Sequence, residues 1–126
     1  MARPRDVLRI HAREIDRYGG AHGVLNDGAV DASLARPQNL LAYEEVRDVF
    51  KLAACYAYGF AKNHCFVDGN KRIAFASAAA FLLDNRFLLL PAPAVGPDLF
   101  VRLAAGQVTE AELATILCGN CVRLPE

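Results

Sequence analysis

No charge of either sign predominates in this chain. Its 126 residues carry 14 Lys and Arg against 14 Asp and Glu, a formal net charge of zero. A chain without a basic excess has no general nucleic-acid footprint, so no direct DNA binding is expected. Long apolar runs are also missing. The best stretch, 73–83, falls short of the ~20 residues that a membrane span needs. The start, Met1 followed by ARPRDVLRIHAREID, has no apolar segment of the signal-peptide kind, and a cytoplasmic location is expected. Cysteine is sparse, at 55, 65, 118 and 121, so no disulfide framework is expected. Cys118 and Cys121 form a single C-x-x-C with no second pair, half of a zinc site at best. They read as small apolar fillers at a helix end. Internal repeats and low-complexity tracts are absent. What is present is apolar: 54% of residues are hydrophobic, enough to bury a core in one domain spanning 1–126.

The apolar residues fall at helical spacing. Val7, Ile10, Ile15 and Tyr18 mark a helix over 6–18 that Gly19 and Gly20 stop. A polar, glycine-punctuated loop follows, AHGVLNDG. Asp27 is expected to cap a short helix over 29–36, closed by Pro37, with 38–43 as an irregular connection. The next helix is expected from Glu44 to about Lys62. Another, from Gly69 or Asn70 to Asn85, is apolar nearly all round beyond Arg72 and reads as the buried centre of a bundle. Three prolines and a glycine make 86–97 an extended connector with room for one short strand. A short helix over 97–105 and a last one to about Gly119 complete the chain. The capping-box pattern from Thr109 to Glu112 opens the last helix. The fold class is all-α, about six helices around the 70–85 helix.

Residues 64–75, HCFVDGNKRIAF, carry the chemistry. His64 is suited to take a proton, since imidazole has an ordinary pKa of ~6.5. By itself it reads better as a helix C-terminal cap. Phe66 is expected to point inward and anchor the loop. Asp68 is a candidate magnesium ligand, or an N-cap of the next helix. Gly69 lets backbone approach a phosphate, and with Asn70 it presents N–H groups as an anion nest. Lys71 and Arg72 then place two cations in a first helical turn, where they oppose the helix dipole. A bound polyanion removes that penalty. His11 and His22 read as structural or surface residues, whereas Arg36 and Arg86 are candidates to line the cleft.

The string H-x-F-x-D-G-N-K-R resembles the signature of Fic-domain proteins, and the Lys after Asn resembles their death-on-curing (Doc) branch. The likeness spans nearly the whole chain, through Arg17-Tyr18-Gly19-Gly20, residues 29–36 and Ala42-Tyr43-Glu44-Glu45. It implies an all-α domain that transfers a phosphate-containing group to a protein hydroxyl. Most Fic proteins transfer AMP and have a pattern like H-x-F-x-E-G-N-G-R-x-x-R. Here Lys71 stands for the second glycine and Phe75 for the last arginine, both as in the Doc branch. That branch implies a toxin of a type II toxin–antitoxin system: a kinase that moves the γ-phosphate of ATP, with Mg2+, to a hydroxyl, by analogy of a threonine, on translation elongation factor Tu. On this resemblance His64 takes the proton and Asp68 holds magnesium. Gly69, Asn70, Lys71 and Arg72 hold phosphates, with Lys62 in a supporting role. A lysine in place of glycine fills the room for an α-phosphate, which fits a nucleotide bound in the reversed direction.

Many Fic proteins restrain themselves with an [S/T]-x-x-x-E-[G/N] segment. Ser33, Ser77, Thr109 and Thr115 are followed at the fourth place by Pro37, Phe81, Leu113 and Gly119, so none fits. An inhibitor from another chain is therefore expected, an antitoxin resembling Phd whose disordered tail folds on binding. Leu40, Leu41 and Tyr43 are candidate contacts for it. Three other readings stand beside the kinase. They are a Fic-type AMP transferase, a catalytically idle module that acts as co-repressor with its antitoxin, and a plain bundle whose glycine turn merely joins two helices.

Overall fold

Helix α1 (Pro4–Tyr18) buries a stripe of residues four apart, Val7, His11 and Ile15. That spacing stacks side chains on one helix face. Ile10 is only half-buried, and Tyr18 is exposed. Gly19 adopts a left-handed conformation (φ +89°), and its N–H bonds to the carbonyl of Ile15 at 2.8 Å, which stops the helix as expected. The computed structural model describes residues 4–45 and 47–125.

Helix α2 runs unbroken from Asp27 to Tyr43, so Pro37 does not close it. Proline removes one N–H and crowds the carbonyl four residues back, here that of Ser33. Its ring is fully buried, and core packing offsets the lost hydrogen bond. The cap is Asn26 rather than Asp27: Asn26 Oδ1 accepts from the Ala29 N–H at 3.0 Å. Helix α3 (Val49–Lys62) starts five residues later than expected from Glu44. Asp48 makes the start, accepting from the N–H groups of Phe50 (2.8 Å) and Lys51 (3.3 Å). Glu45, at φ +56°, is non-helical. Val46 belongs to the expected helix but lies outside the described residues.

Helix α4 (Asn70–Asp84) sits in the middle of the bundle, touching α1, α3 and α5 (Pro97–Ala104). The more enclosed helix, however, is α3. Its Ala53, Ala54, Cys55, Ala57 and Phe60 are fully buried, whereas α4 leaves Phe75 and Leu83 exposed. The small residues of α3 are what let four helices, α2, α4, α5 and α6 (Glu110–Gly119), close on it. Helix α6 begins with the expected capping box: Thr109 Oγ1 accepts from Glu112 N–H, and Glu112 Oε1 accepts from Thr109 N–H, both at 3.1 Å. The connector after α4 contains strand β1 (Phe87–Leu89) and a 3-10 turn at Pro93–Val95. A second strand, β2 (Cys121–Arg123), was not expected. It pairs antiparallel with β1, Leu88 opposite Val122, and ties the end of α6 to the end of α4. Cys121 lies half-buried in β2 and Cys118 is exposed, so only the former fills space.

One crossing matters for the site. At Gly59 on α3, an added Cβ would meet Ser33 of α2, with Cβ at 3.1 Å and Oγ at 3.2 Å. The same Ser33 hydroxyl accepts from Asn63 Nδ2 at 2.9 Å and lies 3.5 Å from Cys65 Sγ. The α2–α3 contact thus fixes the chain that leads into residue 64. Gly59→Ala is expected to destabilise the fold by about 1 kcal/mol, since overpacking costs ~1–3 kcal/mol and improved helix propensity returns ~1 kcal/mol. The midpoint of chemical denaturation checks this, and an unchanged midpoint would mean the crossing relaxes freely.

Candidate functional site

The loop between α3 and α4 is held from three sides. First, residues 23–26 strap it. The Cys65 carbonyl accepts from Leu25 N–H (2.9 Å) and Asn26 N–H (3.2 Å), and Val67 N–H donates to the Gly23 carbonyl (3.0 Å). The polar segment AHGVLNDG is therefore a brace, not a free linker. Second, Phe66 points inward as expected. Its ring is buried, stacks on His11 with centroids 3.8 Å apart, and lies 6.5 Å from the Phe60 ring. Burying such a side chain is worth ~1.5–3 kcal/mol. Third, Asn70 closes the loop on itself. Its Oδ1 accepts from Phe66 N–H and its Nδ2 donates to the Phe66 carbonyl, both at 3.0 Å. The Asn70 side chain is spent on this latch, which leaves only its backbone N–H for an anion.

His64 lies on the exposed flank of this braced loop in a left-handed conformation, φ +49°. A non-glycine residue holds that geometry only when its surroundings fix it, and such residues gather at functional sites. Asp68 is exposed and does not cap α4. The cap position belongs to Gly69 at φ +78°. Asp68 Oδ1 accepts from Gly69 N–H (2.8 Å) and Oδ2 from Ala21 N–H (3.4 Å). These two backbone donors, Gly69 first, hold its carboxyl below the ordinary 3.8, and the charges of Arg72 and His11 add to the effect. Because the folded value is depressed, the carboxylate's contribution is present above the unfolded value and lost as pH falls through the folded one. A titration of the Asp68 side-chain carbon by NMR is expected to show a midpoint below 3.8; a midpoint at or above it would overturn the bonding described.

The first N–H groups of α4, at Asn70, Lys71 and Arg72, fall in the first turn, where a helix has no intrahelical carbonyl for them, and no side chain caps the helix. Lys71 is exposed beside them. Arg72 bends back toward α1, with Nη1 donating to the Glu14 carbonyl at 3.3 Å. A Cβ on Gly20 (φ +116°) would sit 2.6 Å from Asp68 Oδ2 and 2.9 Å from Arg72 Nη2. Gly20 is thus more than a helix stop, because its bare Cα lets the end of α1 press against the acid and the cation. Asp68, Gly69, Asn70, Lys71 and Arg72 form one wall of an open groove of about 770 Å³. The facing wall is apolar, from Val95, Pro97, Phe100 and Val101, with Phe75 set edge-on to Phe100 at 5.4 Å.

Other sequence candidates lie elsewhere. His64 and Lys62 do not line the groove. The Lys62 ammonium lies 5.7 Å from the centre of the Tyr58 ring. Arg36 is also not a cleft residue. It forms a two-pronged ion pair with Glu110, one contact at 3.2 Å, and stacks on Tyr58, tying α2 to α6. Arg86, at φ +70°, reaches the Pro125 carbonyl at 3.4 Å, away from the groove. Leu40 lines a second groove of about 720 Å³ between α2, α3 and α6, Leu41 is half-buried, and Tyr43 is 82% exposed. His22 is exposed and bonds Asp16 at 2.7 Å. Among the described residues no three His, Cys, Asp or Glu side chains gather as a metal cage, and no helix is long and apolar enough to cross a membrane.

Sequence reasoning missed His11, Gly20 and the 23–26 brace as parts of this site. The only signal was the pairing of Gly19-Gly20 with a buried-face histidine eight residues before, and nothing local ties either to position 68.

The sequence comparisons fit this geometry. The model of the Fic/DOC family matches residues 2–82, a stretch that ends inside α4 and contains the whole loop. The chain is 36% identical over 114 residues to "Protein kinase doc" of Escherichia phage P1, covering 90% of each chain. It is 39% identical over 69 residues to "Toxin Doc" of Mycolicibacterium smegmatis, covering 54% of this chain and 53% of that one. This protein belongs to the Fic/DOC family.

Proposed function

We propose that this protein is the toxin of a type II toxin–antitoxin system and acts as a protein kinase. It would transfer the γ-phosphate of ATP to a hydroxyl, by analogy of a threonine, of translation elongation factor Tu, and so block translation. The observation that carries this reading is Lys71: an exposed cation in the first turn of α4, beside an ionised Asp68, on the charged wall of the groove. The names of the two relatives, a kinase and a toxin, support it.

The step balances as a phosphoryl transfer. The acceptor oxygen forms a bond to the γ-phosphorus, the bond to the β–γ bridging oxygen breaks, ADP leaves, and the acceptor proton passes to the His64 imidazole. His64 is exposed and off the groove lining, which suits a base that meets a protein substrate rather than the nucleotide. Lys71 and the first N–H groups of α4, with Gly69 allowing close approach, hold the phosphates and stabilise the spreading charge. Arg72 contributes its charge while anchored on Glu14. Lys62, whose ammonium lies over Tyr58, keeps only a supporting role.

A single ionised carboxylate fits Mg2+, which keeps several waters and shares phosphate oxygens rather than needing a protein cage. Asp68 would hold it, and bound magnesium would neutralise phosphate charge. The inhibitor in this reading is a Phd-like antitoxin from a second chain, acting in the cytoplasm.

Incubation with purified elongation factor Tu and ATP labelled at the α- or the γ-phosphate tests the proposal. Label carried from γ alone is the expected result. Label carried from α would replace it with AMP transfer. No transfer to any lysate protein, by wild type and His64→Ala alike, would favour the binding module.

A further inference from the structure

The buried face of α1 meets the loop at more points than packing alone requires. His11 is 3% exposed and lies under residues 66–69. Its Nε2 is 2.6 Å from the Asp68 carbonyl oxygen. A carbonyl only accepts, so Nε2 carries the proton and donates. The same ring stacks on Phe66 with an interplanar angle of 11°. One turn on, Ile15 Cδ1 lies 3.0 Å from where a Cβ on Gly69 would be, and His11 Nε2 lies 3.4 Å from that point. The Glu14 carbonyl on the same turn accepts from Arg72. One helix face therefore holds Phe66 by its ring, Asp68 by its backbone, Gly69 by contact and Arg72 by its guanidinium.

We infer that His11 is a positioning residue for the groove. It donates to the Asp68 carbonyl and so fixes the peptide whose Gly69 N–H bonds to the Asp68 carboxylate. One oxygen of that carboxylate accepts from the Gly69 N–H of this same peptide and the other from Ala21, so a rotation of the 68–69 peptide would break the first bond and leave the carboxylate held by Ala21 alone. A ring that only filled space beneath Phe66 would not need a polar atom at 2.6 Å from this one carbonyl. Side chains that orient a ligand-bearing group in this way typically change its affinity on the order of 10–100-fold when removed. The inference about the metal-holding carboxylate rests on the proposed function; the inference about loop order does not.

Two substitutions separate positioning from packing. His11→Phe keeps a stacking ring and loses the donor. His11→Gln keeps a donor and loses the ring. Three quantities are read for each: thermal midpoint, amide hydrogen exchange across 66–70, and affinity for Mg2+ with ATP by calorimetry. His11→Phe is expected to retain the wild-type midpoint within a few degrees, to exchange faster at the Gly69 N–H, and to bind magnesium nucleotide on the order of tenfold more weakly. His11→Gln is expected to lose stability yet recover part of that affinity. Unchanged exchange at Gly69 in His11→Phe overturns the positioning role. So does a loss of affinity in His11→Gln as large as in His11→Phe. Wild-type protein that binds no magnesium nucleotide would instead sink the proposed function, while faster exchange in His11→Phe would still support the positioning of the loop.

Discussion

Replacing His64 is expected to lower γ-phosphate transfer by on the order of 10²–10⁴-fold, the usual contribution of a positioned general base. Stability should hardly change. His64 is exposed, off the groove lining, and outside the hydrophobic core. Its one structural peculiarity is the left-handed backbone at φ +49°. Alanine is poor in that region, so His64→Ala carries a small backbone cost of ~1 kcal/mol or less beyond what histidine already bears. His64→Asn removes this ambiguity, since asparagine accepts the left-handed conformation readily and has no basic nitrogen. Both variants should therefore lose transfer to that extent and both should melt close to wild type. Transfer retained in His64→Asn would remove the histidine from the reaction. Transfer lost together with a large drop in the melting temperature would mean instead that the residue holds the loop. Gly20→Ala provides the contrast. Its new Cβ would sit 2.6 Å from Asp68 Oδ2 at φ +116°, so activity and stability are expected to fall together.

The loop was legible because its order is local. Histidine, acid, glycine, asparagine and two cations follow one another within nine residues, and the helix after them announces itself by its apolar run. Phe66 was also legible, as a large aromatic residue two places after the histidine of a short loop. The helices were readable for the same reason, and the capping box at Thr109 fixed a boundary to the residue. The boundaries that differ did so where tertiary packing overrode a local signal. Pro37 should end a helix, yet its ring is sealed into the core and the helix runs on. A helix was expected from Glu44, yet the cap at Asp48 sets its start at Val49.

What the sequence left hidden depends on long separations. His11 and Asp68 are 57 residues apart, and Ala21 and Asp68 are 47 apart. Val24 bridges to Phe66 across a segment that reads as a loop. No periodicity in either partner marks such contacts. The pairing of β1 with β2 was missed for the same reason, since three-residue strands carry too little alternation to be seen. Arg36 was misread because a cation near an apolar helix looks the same whether it faces a cleft or a glutamate on the last helix.

Lys71→Gly is the substitution that asks most of the proposed function. Lysine in a first helical turn opposes the dipole, at a cost of ~0.3–1 kcal/mol. Removing it should relieve that cost, while glycine in the helix returns a penalty of up to ~1 kcal/mol, so the melting temperature is expected to stay nearly constant. Activity should not. Lys71 is exposed on the groove wall, beside the first free N–H groups of α4 and the Asp68 carboxylate. If it stabilises charge on the transferring phosphoryl group, losing it should lower kcat/KM by on the order of 10²-fold, as for other preorganised donors. Arg72 cannot stand in freely, because its guanidinium is drawn back to the Glu14 carbonyl. Glycine also opens the space that the lysine stem fills. The label experiment therefore has a second reading in this variant. Weaker γ-transfer with no α-transfer means that Lys71 supplies charge alone. Weaker γ-transfer with new α-transfer means that the lysine also selects the direction in which the nucleotide enters. Undiminished γ-transfer would show that the cation at this helix start has no part in the reaction, and would leave its unfavourable position without a purpose.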